Sequence, residues 1–293
     1  MLERIQRGDF IISDGATATY LQARGLEPGG CPEELNESRP KLIQQMARDY
    51  FEAGADMVLT NSFGGNKFML KKYGHGDDKV VLFNRLAAEH AQSQAPERKY
   101  TVGSVGPTGE FLEPLGEVSE AEMYDAFARQ ITALAEGGVD GVDIETMWAI
   151  EEASLAIKAA KENTDLTVIS TMTFDKGPRG LFTMMGVTPA QAATQLREAG
   201  ADVVGANCSN GIEVMIEIAR ELRGTTNGPI LVHSNAGIPA IKKEGQIVYP
   251  DTPEFMAERF KTLVDEGINV VGGCCGTTPA HIKAFSDAVR GQG

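Results

Sequence analysis

A short phrase recurs four times along the chain, and it constrains the fold more than any other feature of the sequence. Each copy ends a stretch with helical periodicity and precedes an apolar run. A glycine suits the end of a helix, and the apolar run suits a buried strand. The repeating unit is therefore a helix followed by a strand, without a fixed spacing. The copies are EAGAD at 52–56, EGGVD at 136–140, EAGAD at 198–202 and EGIN at 266–269, followed by MVLTNSF, GVDIET, VVGANCS and VVGGCCG.

Four further runs, rich in β-branched residues, complete the set of expected strands. They lie at 10–16, 100–107, 166–174 and 229–237. Near-continuous apolar strands that alternate with helices indicate a parallel sheet covered on its outer face. Eight such units over 293 residues predict an α/β fold, a (β/α)8 TIM barrel that forms a single domain from residue 1 to 293. A doubly wound open sheet is the alternative.

The charge of the chain restricts the classes of partner. The sequence has 27 basic and 41 acidic residues, a formal net charge of −14 and a pI near 4.8. This acidity argues against nucleic-acid binding. It serves either solubility or an acidic face that docks a partner.

The apolar pattern and the cysteine count bear on location. There is no run of about 18 apolar residues, and the N-terminus lacks the apolar segment of a secretory signal. We therefore expect a cytoplasmic protein without a membrane segment. Four cysteines do not make a disulfide framework in a chain of this length, and a reducing compartment keeps them as thiols.

Two adjacent cysteines follow the last expected strand, in the stretch VGGCCGTTPAHI at 271–282. Barrel enzymes carry their chemistry at the carboxyl ends of the strands. Cys208 follows the sixth strand, whose end lies roughly 10 Å from that of the eighth at a strand spacing near 4.8 Å. Cys208 can therefore meet Cys274 and Cys275, and three thiolates favour zinc or another soft metal with a fourth position open. Alternatively, each cysteine is a small buried apolar residue, as we expect for Cys31.

The chemistry of the three cysteine ligands limits the reactions that a bound metal could support. Three thiolates donate much charge to a zinc ion, so the ion activates water less well than one held by histidine and carboxylates. Such an ion is better suited to bind a substrate thiol, lower its pKa and keep the thiolate nucleophilic. The pattern therefore predicts alkyl transfer to a thiol, with Cys208, Cys274 and Cys275 as the catalytic metal ligands.

Motifs along nearly the whole chain, from about residue 10 to residue 285, resemble those of the homocysteine S-methyltransferase family. The combination of GGCCGTTP with an upstream NC is the most specific of them. Within the family, the chain is most similar to the homocysteine-binding module of cobalamin-dependent methionine synthase. The motifs are DGATATYLQARG, TNSFGGN, SVGPTGE, the ET of DIETM, MTFD, ANCSNG, SNAG and GGCCGTTPAHI.

The resemblance implies a (β/α)8 barrel, a zinc ion on the three cysteines and homocysteine as the substrate. Residues matching Asp14 and Glu145 hold the ammonium in relatives, and amides around Gly15 and Ala16 receive the carboxylate. Asp14 could instead cap the first helix, and Glu145 could form a rim salt bridge. Three asparagines either line the substrate pocket or are ordinary turn residues. They are Asn61, Asn207 and Asn235.

The methyl donor stays open at this point. Betaine-using relatives need an aromatic cage, but the matching positions here are Cys31, the glycines of NSFGGN and Thr146, although Phe63 and Trp148 are nearby. The similarity to methionine synthase favours methylcobalamin carried by a separate corrinoid protein. A small donor such as S-methylmethionine, S-adenosylmethionine or betaine is the alternative, and another thiol could replace homocysteine.

Two other classes of protein compete with this interpretation. An aldolase or lyase would need a Schiff-base lysine, and none stands at an expected strand end. A structural zinc protein would need a fourth protein ligand. His233 is expected to be packed and hydrogen-bonded rather than a ligand, and His281 is expected to face solvent.

Overall fold

The computed structural model describes residues 1–241 and 247–291 of the chain. The strands in this part are β1 (Ile11–Ile12), β2 (Met57–Leu59), β3 (Tyr100–Val105), β4 (Gly141–Met147), β5 (Thr167–Met172), β6 (Asp175–Gly177), β7 (Gly180–Phe182), β8 (Val203–Gly211), β9 (Ile230–Asn235), β10 (Ala240–Ile241), β11 (Ile247–Val248) and β12 (Val270–Gly273). The helices are α1 (Leu2–Gln6), α2 (Thr17–Gln22), α3 (Leu35–Ser38), α4 (Pro40–Glu52), α5 (Lys67–Lys72), α6 (Asp77–Gln92), α7 (Glu120–Glu136), α8 (Ile150–Asn163), α9 (Pro189–Glu198), α10 (Ile212–Thr225), α11 (Pro253–Asp265) and α12 (Pro279–Arg290).

Eight of these strands form one parallel sheet that closes on itself. Their order is β1, β12, β9, β8, β5, β4, β3, β2, which is chain order read around a circle. A parallel bridge between Ser13 and Met57 joins the two remaining edges. The predicted (β/α)8 barrel is therefore confirmed, and the open doubly wound sheet is wrong.

The recurring phrase ends four helices as the sequence predicts. The glycine that follows α4, α7, α9 and α11 has a φ between 77° and 110°, at Gly54, Gly138, Gly200 and Gly267. This left-handed conformation is readily adopted by glycine and turns the chain away from the helix. Strands β2, β4, β8 and β12 begin within a few residues of these turns.

The lower half of the barrel interior, near the amino ends of the strands, is filled by apolar side chains. Ile5 of α1 packs against this layer from below. Of the described barrel strands, only β4 adds no apolar side chain to it. Val142 and Ile144 of β4 pack outward against the helices, so strand alternation turns Asp143 and Glu145 inward. The strand residues of the layer are Ile11, Met57, Leu59, Val102, Ile169, Val203, Leu231 and Val270.

Several local features differ from the sequence-based expectations. Strand β1 covers only two residues of the stretch 10–16, because the rest turns into the rim of the barrel. Two short antiparallel hairpins, β6–β7 and β10–β11, were not expected. In the described part of the chain, no helix has the length and apolarity to span a bilayer.

The expectation that His281 faces solvent is wrong, since this side chain is only 6% exposed. His281 occupies the third position of α12, and its Nδ1 accepts a hydrogen bond of 3.2 Å from the backbone N–H of Thr278. Its Nε2 lies 3.1 Å from the carbonyl oxygen of Asp251. The ring therefore turns inward because it caps its own helix and contacts the segment that precedes α11.

Candidate active site

A cavity of about 320 Å³ opens at the carboxyl ends of the barrel strands. Three of the ten residues expected at the site, Asp14, Asn207 and Asn235, are buried and do not belong to the described lining. The other seven line the cavity. They are Gly15, Ala16, Asn61, Glu145, Cys208, Cys274 and Cys275.

The three expected metal-ligand cysteines converge on the wall of this cavity. Their Sγ atoms all lie within 4.8 Å of one another, and those of Cys208 and Cys275 are 3.9 Å apart. Zn–S bonds of about 2.3 Å in a tetrahedral arrangement place sulfur atoms roughly 3.8 Å apart. The cluster, completed by Cys274, therefore fits a zinc ion in both chemistry and spacing.

An unusual backbone conformation directs Cys208 toward the cluster. Cys208 and Ser209 have φ angles of 64° and 62°. The pairing of β8 with β9 shifts register between Asn207 and Gly211, at the same place. Non-glycine residues in this conformation cost about 1–3 kcal/mol each and persist where the surroundings fix them, often at functional sites. No sequence motif signals this strain directly.

The adjacent pair, Cys274 and Cys275, is tied to the end of β9. The N–H of Cys274 donates to the carbonyl oxygen of Ser234 at 2.7 Å, and the carbonyl of Cys275 accepts from the N–H of Ala236 at 2.9 Å. The hydroxyl of Thr277 also donates to the carbonyl oxygen of Cys274 at 2.6 Å. These bonds hold the two side chains at one place on the rim.

Hydrogen bonds among the three thiols make their pKa values differ. Bonds from Cys274 and Cys275 lower the pKa of Cys208, whereas contact with Cys208 raises the pKa of both other thiols. The cluster therefore favours a thiolate on Cys208. A thiolate is the protonation state that a cysteine needs in order to bind a metal.

Two buried carboxyl groups lie next to the cluster. Asp14 Oδ2 accepts from the N–H of Leu59 at 2.8 Å, and burial raises the pKa of Asp14 to about 8. Glu145 accepts a short bond from the hydroxyl of Ser104 and one of 3.1 Å from Asn207 Nδ2. Burial also raises the pKa of Glu145, to about 7. Hydrogen bonds thus hold both carboxyl groups in place, but burial makes their ionised forms unfavourable in free energy.

The structural alternatives for these carboxyl groups are not realised. The N-cap of α2 is Ala16, and no side chain caps this helix, so Asp14 is not a cap. Among residues 1–241 and 247–291, no lysine or arginine contributes to the acidity of Asp14 or Glu145. Glu145 therefore forms no rim salt bridge within the described chain.

Two of the expected asparagines lie around Glu145 and the cysteines. Asn207 accepts from the N–H of Thr146 at 2.7 Å and donates to its hydroxyl, also at 2.7 Å. These bonds offset the strain of Thr146, which has a φ of 61°. The amide of Asn235 contacts Cys208. Asn207 thus orients Glu145, and Asn235 borders the metal-ligand cluster.

Two other expected residues already make structural contacts. Asn61 Nδ2 donates to the carbonyl oxygen of Pro32 at 2.7 Å, which braces a loop at the cavity wall. The N–H of Ala16 donates to the hydroxyl of Thr277 at 3.1 Å. A substrate carboxylate would therefore rely on the amide of Gly15 and on the first N–H groups of α2, which lack intrahelical partners.

Aromatic side chains surround the cavity in a pattern that the sequence shows only in part. Phe63 and Tyr73 line it. Trp148 does not belong to the described lining and stacks on Phe111 with ring centroids 6.3 Å apart. Tyr249 hydrogen-bonds Cys275. Tyr73 and Tyr249 were missed because they reach the site from outside the strand ends.

A solved structure with the same fold is the homocysteine methyltransferase MmuM from Escherichia coli in its metallated form. The TM-score is 0.79, with 94% of this chain and 95% of that chain covered. At 22% sequence identity, this likeness shows a shared fold alone.

Sequence comparison is more specific. The family described as homocysteine S-methyltransferase matches residues 11–289. The chain is 35% identical to methionine synthase from Mycobacterium tuberculosis over 95% of this chain and 24% of that protein. It is 28% identical to betaine–homocysteine S-methyltransferase 1 from Xenopus tropicalis over 98% of this chain and 74% of that protein.

The chain belongs to the homocysteine S-methyltransferase family, and the resemblance seen in its motifs is confirmed. It spans about a quarter of the length of the curated methionine synthases that it matches, at 24%.

Proposed function

We propose that this chain transfers a methyl group to the thiolate of homocysteine, giving methionine, with Zn²⁺ held by Cys208, Cys274 and Cys275. The observation that carries the proposal is the convergence of three Sγ atoms within 4.8 Å beside Asp14 and Glu145, two buried carboxyls without a basic partner in the described chain. Cys208, Cys274 and Cys275 would hold a zinc ion there, which would lower the pKa of the substrate thiol and keep the thiolate nucleophilic.

The chain's own residues bind and orient the amino acid. Glu145 and Asp14 accept hydrogen bonds from the substrate ammonium, whose charge lowers the carboxyl pKa values that burial has raised. The substrate carboxylate meets the amides of Gly15 and Thr17 near the start of α2, where N–H groups favour an anion. Asn207 keeps Glu145 in position.

The reaction itself is a displacement at carbon. The thiolate sulfur of homocysteine forms a bond to the methyl carbon while the bond to the donor breaks, and the donor keeps that electron pair. The thiol proton leaves to solvent when the substrate binds, so no side chain has to act as a general base at sulfur. The cavity contributes by holding the nucleophile in one orientation.

For the donor, we propose methylcobalamin carried by a corrinoid partner protein. The support is the 35% identity to methionine synthase and the apolar side chains exposed on the segments that follow β3, β7 and β9. Such side chains are typical of a surface that contacts a partner. The most exposed of them are Leu115 (75%), Met184 (56%), Ile238 (66%), Ile241 (77%) and Ile247 (61%).

A small cationic donor is the second candidate, because Phe63 and Tyr73 present aromatic rings to the cavity. Sulfonium and quaternary ammonium groups are attracted to such rings. The positions at which betaine-using relatives place their cage carry Cys31, glycines and Thr146, so a sulfonium is favoured over betaine.

Two further expectations belong to the same proposal. We expect residues 1–293 to form one barrel domain, since the strands that supply the site extend from β1 to β12. We also expect a cytoplasmic location, because a metal site built from cysteines needs them reduced.

A panel of donors tests the function. Reduced, zinc-loaded protein is incubated with homocysteine and methylcobalamin, S-methylmethionine, S-adenosylmethionine or betaine, and methionine is measured by mass spectrometry. We expect methionine from one donor class, and on the order of 1,000-fold slower formation of it by Cys274→Ser. Two results contradict the proposal. One is methionine formation by Cys274→Ser at the wild-type rate, and the other is the absence of methionine with every donor.

A further inference from the structure

A second cluster of potential metal ligands lies inside the barrel, deeper than the cysteines. Asp143 and Glu145 of β4 and His233 of β9 place one ligand atom each within 4.8 Å of the others. Their side chains are buried, with Asp143 0% and His233 1% exposed. Glu145 and His233 also line the floor of the cavity, which gives a small solute access to the cluster.

The polar atoms of this cluster lack partners. Both carboxylate oxygens of Asp143 and the Nε2 atom of His233 are buried without a hydrogen bond, three of six such atoms in the described residues. The neighbouring hydroxyl of Thr171 donates its single proton to Asn207 Oδ1 at 2.9 Å. The ligand atoms of Asp143 and His233 thus make no hydrogen bond with each other, yet they lie within 4.8 Å and can share one small bound species. Leaving buried polar atoms without a partner is unfavourable, because they lose the hydrogen bonds that water would otherwise provide.

The donor set suits a cation, because two carboxyl groups and one imidazole place ligand atoms within 4.8 Å of one another, with no lysine or arginine of the described chain among the causes of their pKa shifts. Burial raises the pKa of Asp143 well above its ordinary value, and the nearby charge of Glu145 adds to the effect. Burial lowers the pKa of His233 to about 3, so its ring is neutral and offers a lone pair rather than a positive charge. A bound cation would favour the ionised carboxyl groups that burial disfavours, whereas a water molecule would leave Asp143 as the neutral acid.

We propose that Asp143, Glu145 and His233 bind a second divalent metal ion, of the class that accepts imidazole together with carboxylate, such as Zn²⁺, Mn²⁺ or Co²⁺. Each oxygen of Glu145 accepts one hydrogen bond and keeps a lone pair for the ion. The ion links the barrel core to the cavity floor and holds the carboxylate of Glu145 in place. The site uses none of the three cysteines.

A titration with Co²⁺ alone tests the proposal, because cobalt reports its ligands by colour. Chelator-treated, reduced protein should bind two equivalents. One gives the intense near-ultraviolet band of thiolate-to-cobalt charge transfer, and the other binds without it. Asp143→Asn should bind only the equivalent with the band, whereas Cys274→Ser should weaken the band and keep the other equivalent.

Circular dichroism shows whether each variant folds, and His233→Gln replaces Asp143→Asn if the latter does not. Anomalous diffraction from wild-type crystals grown with Co²⁺ adds a test without substitution, with a peak expected among Asp143, Glu145 and His233. A single bound equivalent that carries the thiolate band in the wild type, two equivalents in Asp143→Asn, or no peak among the three residues overturns the second site. Loss of the thiolate band in the wild type contradicts the proposed cysteine site instead, so the two failures are distinct.

Discussion

The two ends of the barrel bury carboxylates in opposite ways. At the lower end, Asp56 is 3% exposed and receives Lys99 Nζ at 2.8 Å, a short contact from Arg290 and Arg4 at 3.8 Å. Burial alone would raise its pKa, but hydrogen bonds from Lys99 and the N–H of Ile12, with the charge of Arg290, lower it overall. The carboxylate charge is fully compensated by the protein.

At the upper end, Asp14, Asp143 and Glu145 have raised pKa values, and no basic side chain of the described chain is among the causes. The same chemical group thus serves two purposes. At the lower end it joins segments distant in sequence and stabilises the fold. At the upper end the carboxyl groups have no basic partner in the described chain, and we propose that a bound ligand supplies the positive charge, since perturbed pKa values cluster at functional sites.

The largest expected effect is at the upper end. Cys274→Ser should lower methyl transfer on the order of 1,000-fold, since a metal contributes several kcal/mol to such a reaction. Zinc content should fall with it, while the free energy of unfolding of the metal-free protein changes little. Cys31→Ser is the matched control, because Cys31 is buried outside the cavity lining. An equal loss of activity in Cys274→Ser and Cys31→Ser would contradict a specific role of Cys274 in binding the metal.

Asp56→Asn tests the lower end. Breaking a buried ion pair by removing one partner should reduce the free energy of unfolding by about 3 kcal/mol. Methyl transfer by the folded protein should stay near the wild-type rate. Urea unfolding followed by circular dichroism measures the change. Asp265→Asn is the control, since Asp265 pairs with Lys261 at 3.2 Å on the surface and should cost below about 1 kcal/mol.

Asp14→Asn should give the reverse pattern. The asparagine oxygen can still accept from the N–H of Leu59, and its amide can donate to the hydroxyl of Ser13. Stability should therefore be kept, while loss of a charged hydrogen bond to the ammonium raises the KM for homocysteine about 10-fold. Initial rates across homocysteine concentrations measure this. An unchanged KM together with lost stability would make Asp14 a structural residue.

A further expected effect is a difference in the pH dependence of stability between the two ends. The raised pKa of Asp14, about 8 against an ordinary 3.8, means that the folded state binds its proton more tightly. Its contribution to stability therefore declines as pH rises from about 4 to 8. The lowered pKa of Asp56 has the opposite sign, and stability is lost as pH falls below about 4.

Unfolding of the substrate-free protein at a series of pH values measures both slopes. Asp14→Asn should remove part of the decline above pH 4, and Asp56→Asn should remove part of the decline in acid. The same slope for both variants would contradict the contrast between the two ends.

The barrel could be predicted from sequence because its strands and helix ends are local features. Apolar runs identify the eight strands, and the glycine after each recurring phrase marks a helix end. The positions of Cys208, Cys274 and Cys275 then follow from barrel closure, which brings strand ends together. The geometry of the cluster agrees with that expectation, although its role as a metal site stays a prediction.

Other features of the site depend on contacts that no local pattern encodes. Asp143 interrupts an otherwise apolar layer, and its alternation on β4 signals only that it points inward. Tyr249 reaches Cys275 from a distant loop, and the burial of His281 depends on a helix cap and a backbone carbonyl. The bonds that occupy Ala16 and Asn61 likewise become visible only in three dimensions.

X-ray absorption at the zinc edge tests the central claim most directly. Reduced protein loaded with one equivalent of zinc should show three sulfur neighbours, from Cys208, Cys274 and Cys275, and a fourth when homocysteine is added. A sulfur count that does not change with homocysteine, or a zinc environment without sulfur, would contradict the account.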